Sequence, residues 1–174
     1  MTALGAATAS STDEISAGLE KFAAVSNSVG LSYEYATSAL ATVTATTRQS
    51  ADVVGTAFKT LFARIQDLEL GKTLDDGTTL GKYSQALETV GISIKTADGG
   101  LREMDDILSD LGEKWNSFDA EGNPLISDDA KIALAQTVAG VRQYTQLIAL
   151  MDNWDFMKEN LETARNATGT LNKQ

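Results

Sequence analysis

Along the chain, apolar residues return every three or four positions, and the alternation that marks a half-buried strand is nearly absent. Ile15, Leu19, Phe22, Ala23 and Ser26 form one such stripe behind Ser11 and Glu14, whose spacing fits a capping box, so a first helix is predicted from Thr12 to Ser28. Gly30 suits its C-terminal cap. Leu31-Ser32 then supplies a staple residue and an N-cap for a second helix over Tyr33 to Thr47. Tyr35, Ala36, Ala39, Leu40 and Val43 give that helix an apolar face, while its threonines make it intrinsically the weakest of the early helices. Behind Ser50, Val53, Val54, Ala57, Phe58, Leu61, Phe62, Ile65 and Leu68 specify the third helix, the strongest core candidate.

Gly71, Asp75-Asp76-Gly77, Gly81 and Gly91 interrupt the chain next, leaving room for a short helix near Lys82 to Val90. Ile92-Ser93-Ile94 suits an extended piece, with a small hairpin over 92–102 closed by Ala97 to Gly100. Met104, Ile107, Leu108, Leu111 and Trp115 mark a helix from about Leu101 to Asn116, acidic at its start and with Lys114 at its end, as the macrodipole favours. After a turn at Ala120 to Pro124, Ser127 caps a helix carrying Ile132, Leu134, Ala135 and Val138 and ending near Ala139. Gly140 breaks the chain, and one last helix carries Tyr144, Leu147, Ile148, Met151, Trp154, Met157 and Leu161. The expected fold is all-α: a compact bundle of about six helices with Gly-rich loops. Residues 12–167 form the helical module, between a flexible or continuing N-terminal segment 1–11 and a frayed tail 168–174.

Composition narrows the chemistry. The 174 residues include no His and no Cys, which removes Ser-His-Asp and Cys-His nucleophile pairs, thiol redox centres and the usual zinc sites. No apolar run approaches the roughly 18 to 20 residues of a membrane-spanning helix. The start, Met1 to Ala9, lacks the basic region of a signal peptide and reads as mature sequence. Fourteen cations face 24 acids, for a net charge of −10, and the cations are scattered singly from Lys21 to Lys173. Such scatter disfavours direct nucleic-acid binding, which needs clustered Lys and Arg. The acidity concentrates between Glu103 and Asp129, where five of the acids fall in expected first turns of helices, positions that favour anions.

The carboxylate pairs Asp75-Asp76, Asp105-Asp106 and Asp128-Asp129 are sequence neighbours, which on a helix point about 100° apart, so none makes a ready dyad for glycoside hydrolysis. Neither Asp98-Gly99-Gly100 nor Asp119 to Asn123 keeps a calcium-loop register, and Gly71-Lys72-Thr73 lacks the earlier Gly of a phosphate loop. No catalytic, cofactor-binding or metal-ligating residue is assigned. For a partner surface, Arg142, Gln143 and Tyr144 stand out, two polar groups and an aromatic beside Gly140. The last helix suits either docking on the core or pairing with another chain, including a second copy.

Three stretches together carry a resemblance: Gly55 to Ile65; Gly91 to Ile94 with Leu101-Arg102 and Asp106 to Trp115; and Ala133 to Gln143 with Leu147 and Leu150 to Trp154. In order and spacing they resemble the conserved region of phage tail tape measure proteins of the TP901 type, with Val141 where that family commonly has Thr. The resemblance covers roughly Thr12 to Ala167. It implies a non-enzymatic virion protein that is assembled in the bacterial host cytoplasm and occupies the lumen of the growing tail. There it would meet the tail tube protein and assembly chaperones and help set tail length. Members of that family are much longer, so the resemblance also implies that these residues are a module of a larger protein. The alternatives are a stand-alone helical adaptor or chaperone and, disfavoured by the missing His and Cys, a carboxylate-based cell-wall hydrolase.

Overall fold

A computed structural model describes residues 12–173, with side chains over 12–167. The segment 1–11, with the Ser11 half of the expected capping box, and the side chains of the tail 168–174 lie outside the described residues. Within them the fold is all-α. The helices are α1 Thr12–Ser28, α2 Tyr33–Thr47, α3 Ala51–Glu69, α4 Leu80–Glu88, α5 Met104–Trp115, α6 Asp128–Ala139, α7 Tyr144–Asp152 and α8 Trp154–Lys173. That makes eight among the described residues rather than about six, chiefly because the expected last helix divides at Asn153.

Serine caps fix three of the starts. Ser32, Ser50 and Ser127 each accept a hydrogen bond from the backbone N–H three residues on, at 3.2 Å. Thr79 does the same for α4, starting it at Leu80, ahead of the expected Lys82. Each such bond satisfies one of the donors that a helix start leaves free, a contribution of about 1 kcal/mol.

The centre of the fold is α2, expected to be the weakest of the early helices. Every residue from Tyr35 to Thr44 is buried, because α1 and α3 pack on it from one side and α7 and α8 from another. Its hydroxyls tolerate this burial by bonding to carbonyls of their own helix. Thr37 donates to Tyr33 O at 2.8 Å, Ser38 to Glu34 O at 2.7 Å and Thr42 to Ser38 O at 2.7 Å. Burial of a polar group is costly only when the group is unpaired. Thr42 also accepts from Asn160 Nδ2 at 3.0 Å, a buried polar link between α2 and α8. Asp105 at the start of α5 accepts from the Ser32 N–H at 3.2 and 3.3 Å and ties the two helix starts together; burial pushes its carboxyl pKa up.

One contiguous core runs from Ile15 to Leu161 and includes residues of all eight helices. Three positions expected on its stripes lie outside, Ala23 of α1 among them. Val53 is 49% exposed and Ile132 44% exposed, since the apolar face of each helix is narrower than its run of apolar residues. The expected hairpin over 92–102 is reduced to a single antiparallel bridge, Lys95 with Leu101, and the described residues contain no extended strand. Thr96 N–H donates to Gly100 O at 2.7 Å and Arg102 N–H to Ile94 O at 2.8 Å, so the reversal is real but too short to be a ladder.

The division at Asn153 follows from the side chains of Trp115, the last residue of α5, and Asn116, which caps it. Trp115 Nε1 donates to the Asp152 carboxylate at 2.7 Å, while Asn116 Nδ2 lies 3.3 Å from Met151 O and 3.4 Å from Asp152 O. Those carbonyls find partners outside their own helix, which removes the reason to continue it. The Trp154 ring then lies on Gly112, and its indole N–H donates to Glu113 at 3.1 Å.

Candidate contact cleft

Between α3, the loop over 72–76 and the α6–α7 turn over 139–143 lies an open cleft of about 800 Å³. Its long wall is one face of α3, where Thr56, Lys59, Thr60, Ala63 and Asp67 succeed one another at helical spacing. Its opposite wall is the turn that follows Gly140.

Arg64 joins the walls. Its side chain is 13% exposed, and Nη2 lies 2.9 Å from Asp76 Oδ2, 3.0 Å from Thr78 Oγ1 and 3.0 Å from Thr137 O. These contacts tie α3 to the 72–79 loop and to the C-terminal end of α6, whose last carbonyls favour a cation. The guanidinium also lies over Gly140, where an added Cβ would stand 3.5 Å from Nη1. Arg64 Nε is buried without a hydrogen-bond partner. The Thr78 backbone N–H, donating at 3.0 Å, and then the Thr78 hydroxyl and Arg64 hold the Asp76 carboxyl below its usual range. It therefore stays ionised opposite Arg64.

Of the three residues expected at a partner surface, Arg142 and Gln143 line this cleft. Tyr144 is half-buried, opens α7 and packs against the core. Sequence reasoning missed Arg64 and Asp76 as cleft residues, and Thr78 behind them; Arg64 lies 14 residues from Thr78 and 73 from Thr137. Gly140 was the available signal: it marks a place where another group comes close.

The lining is mixed: Lys59, Arg64, Lys72 and Arg142 face Asp67, Asp75 and Asp76, while Ala63, Leu74, Ala139 and Val141 supply apolar surface. Lys72 pairs with Asp67 at 3.3 Å, so two of its four cations are already neutralised. Among the described residues, no three acids converge in a manner that could hold a metal ion, and no helix is long and apolar enough to cross a membrane. What this arrangement offers chemically is fixed charge and hydrogen-bonding groups along a groove, features suited to recognition.

No solved structure matches the chain. The family model described as phage-related minor tail protein matches residues 1–140 of the 174, and the chain belongs to that family.

Proposed function

We propose that the chain is a folded, non-catalytic assembly module of a tail tape measure protein, acting through contacts with tail tube subunits and assembly chaperones in the host cytoplasm and then in the virion tail. Family membership supports a structural role in the phage tail. The observation that carries the finer reading is the convergence of the three stretches that resemble tape measure proteins. Gly55 to Ile65 lies on α3, Asp106 to Trp115 on α5, and Ala133 to Trp154 spans α6, α7 and the start of α8. They meet in one core, through Arg64 to Thr137 O and Trp115 to Asp152. Contacts over such sequence separations exist only in a compact chain, so on this reading tail length is encoded mainly elsewhere.

In-frame removal of these 174 codons from the gene, followed by electron microscopy of the particles, tests the proposal. Loss of tails, or tails of normal length that fail in assembly or ejection, is the expected result. Tails shortened by about 260 Å, the length of the segment as one continuous helix, would assign it to the ruler and contradict the proposal. Normal infectious particles would contradict it as well and favour the stand-alone adaptor.

A further inference from the structure

The chain carries ten more acids than bases, yet the cleft along α3 is lined by four cations and three acids. Two cations are already paired within the chain, Arg64 with Asp76 and, at the exposed surface, Lys72 with Asp67. Lys59 on the α3 wall and Arg142 on the opposite wall have no ion-pair partner among the described residues, and both are exposed. The charge left for a ligand is thus two cations on facing walls, against the carboxylate of Asp75 at the loop end.

We infer that this cleft binds an extended, acidic segment of a partner protein, with Lys59 and Arg142 receiving its carboxylates and the Arg64–Asp76 pair holding the walls at a fixed separation. The α3 wall from Thr56 to Asp67 is about 17 Å long, the span of roughly five extended residues. A helical ligand of that length would have about 11 residues, too few to be stable in water before binding, which favours an extended one. The exposed hydroxyls of Thr56 and Thr60 donate to Asp52 O and Thr56 O of their own helix and keep acceptor lone pairs for backbone N–H groups of such a chain. A uniform polyanion is the poorer fit, because the two unpaired cations stand on opposite walls and do not form a continuous strip.

The inference rests on the reading of the chain as a module of protein contacts. Its test is fluorescence anisotropy of the whole chain with three labelled probes: a short peptide alternating Glu and Ser, the same peptide with Gln for Glu, and a short single-stranded oligodeoxynucleotide. The Glu peptide is expected to bind, more weakly as salt rises. The double variant Lys59→Glu/Arg142→Glu should lose about tenfold in affinity, the scale of two exposed ion pairs. Lys95→Glu, an exposed control outside the cleft, should stay within about twofold, and both variants should melt with the parent. Absence of Glu-peptide binding, equal binding of the Gln peptide, indifference to the double variant, or tighter binding of the oligonucleotide would each overturn the inference. If the peptide test fails while gene deletion still abolishes tails, the cleft assignment falls and the module reading stands. Normal particles after deletion would remove the module reading whatever the peptide does.

Discussion

Gly112→Ala is expected to destabilise the protein by about 3 kcal/mol or more, at the upper end of overpacking effects. A Cβ on Gly112 would stand 2.1 Å from Trp154 Cδ2 and 2.2 Å from Cε2, well inside any tolerable contact. The ring cannot swing away cheaply. Trp154 is 4% exposed, stands against Tyr35 at 6.4 Å between centroids, and is held through its indole N–H by Glu113. Relief would require α5 to move from the α7–α8 junction, which would strain the Trp115 to Asp152 bond as well. Chemical denaturation should show a lowered midpoint with an unchanged slope. Thermal melting should fall by roughly 6 to 12 °C, given about 2 to 4 °C per kcal/mol for a chain of this size. Adding Trp154→Leu to Gly112→Ala should cost less than the sum of the two single changes, because the clash and the ring share one site. Strict additivity would mean that the ring does not lie on Gly112.

The second large effect is expected at Gly55, where α1 crosses α3. An added Cβ there would come within 2.4 Å of Gly18 O, and one on Gly18 within 2.6 Å of Ala51 O. In both cases the obstacle is backbone, which cannot rotate aside as a side-chain tip can. The two helices would have to separate along a contact that also buries Phe22 against Phe58 and Phe62, with centroids 5.4 and 6.2 Å apart. Gly55→Ala should therefore cost about 2 to 3 kcal/mol in spite of the gain in helix propensity. The matched control is Gly81→Ala in α4, where the nearest atom to the new Cβ is 3.8 Å away. That change should stabilise by about 0.5 to 1 kcal/mol. Urea titration of the pair thus reads opposite signs from the same substitution, and equal shifts would refute the close crossing.

These two glycines also show how much of the fold the sequence discloses. Helix starts were legible because a cap is a local event: Ser32, Ser50 and Ser127 sit where an apolar stripe begins, and each caps as expected. The stripe of α5 was legible for the same reason, and all five of its expected apolar residues are buried. The central place of α2 was not. Propensity counts its threonines against the helix, whereas in the fold the Thr37 and Thr42 hydroxyls return to the carbonyl four residues back, and the helix is buried from Tyr35 to Thr44. The break at Asn153 was hidden because its cause lies far off in the sequence, at Trp115, which bonds Asp152 37 residues away, and at Asn116. At the cleft, Arg142 and Gln143 could be selected beside Gly140, but Arg64 could not, since its role depends on partners from two other parts of the chain. Spacing reports what a helix does for itself; it does not report which helix it will meet.

Compactness separates the two roles, because a module that serves through its surfaces must fold, while a ruler must be long. Small-angle X-ray scattering of the purified chain measures this directly. The predicted radius of gyration is about 16 Å, that of a compact domain of this length. A value of several tens of ångströms, approaching the roughly 75 Å of one continuous 260 Å helix, would contradict the fold and the assembly role built on it.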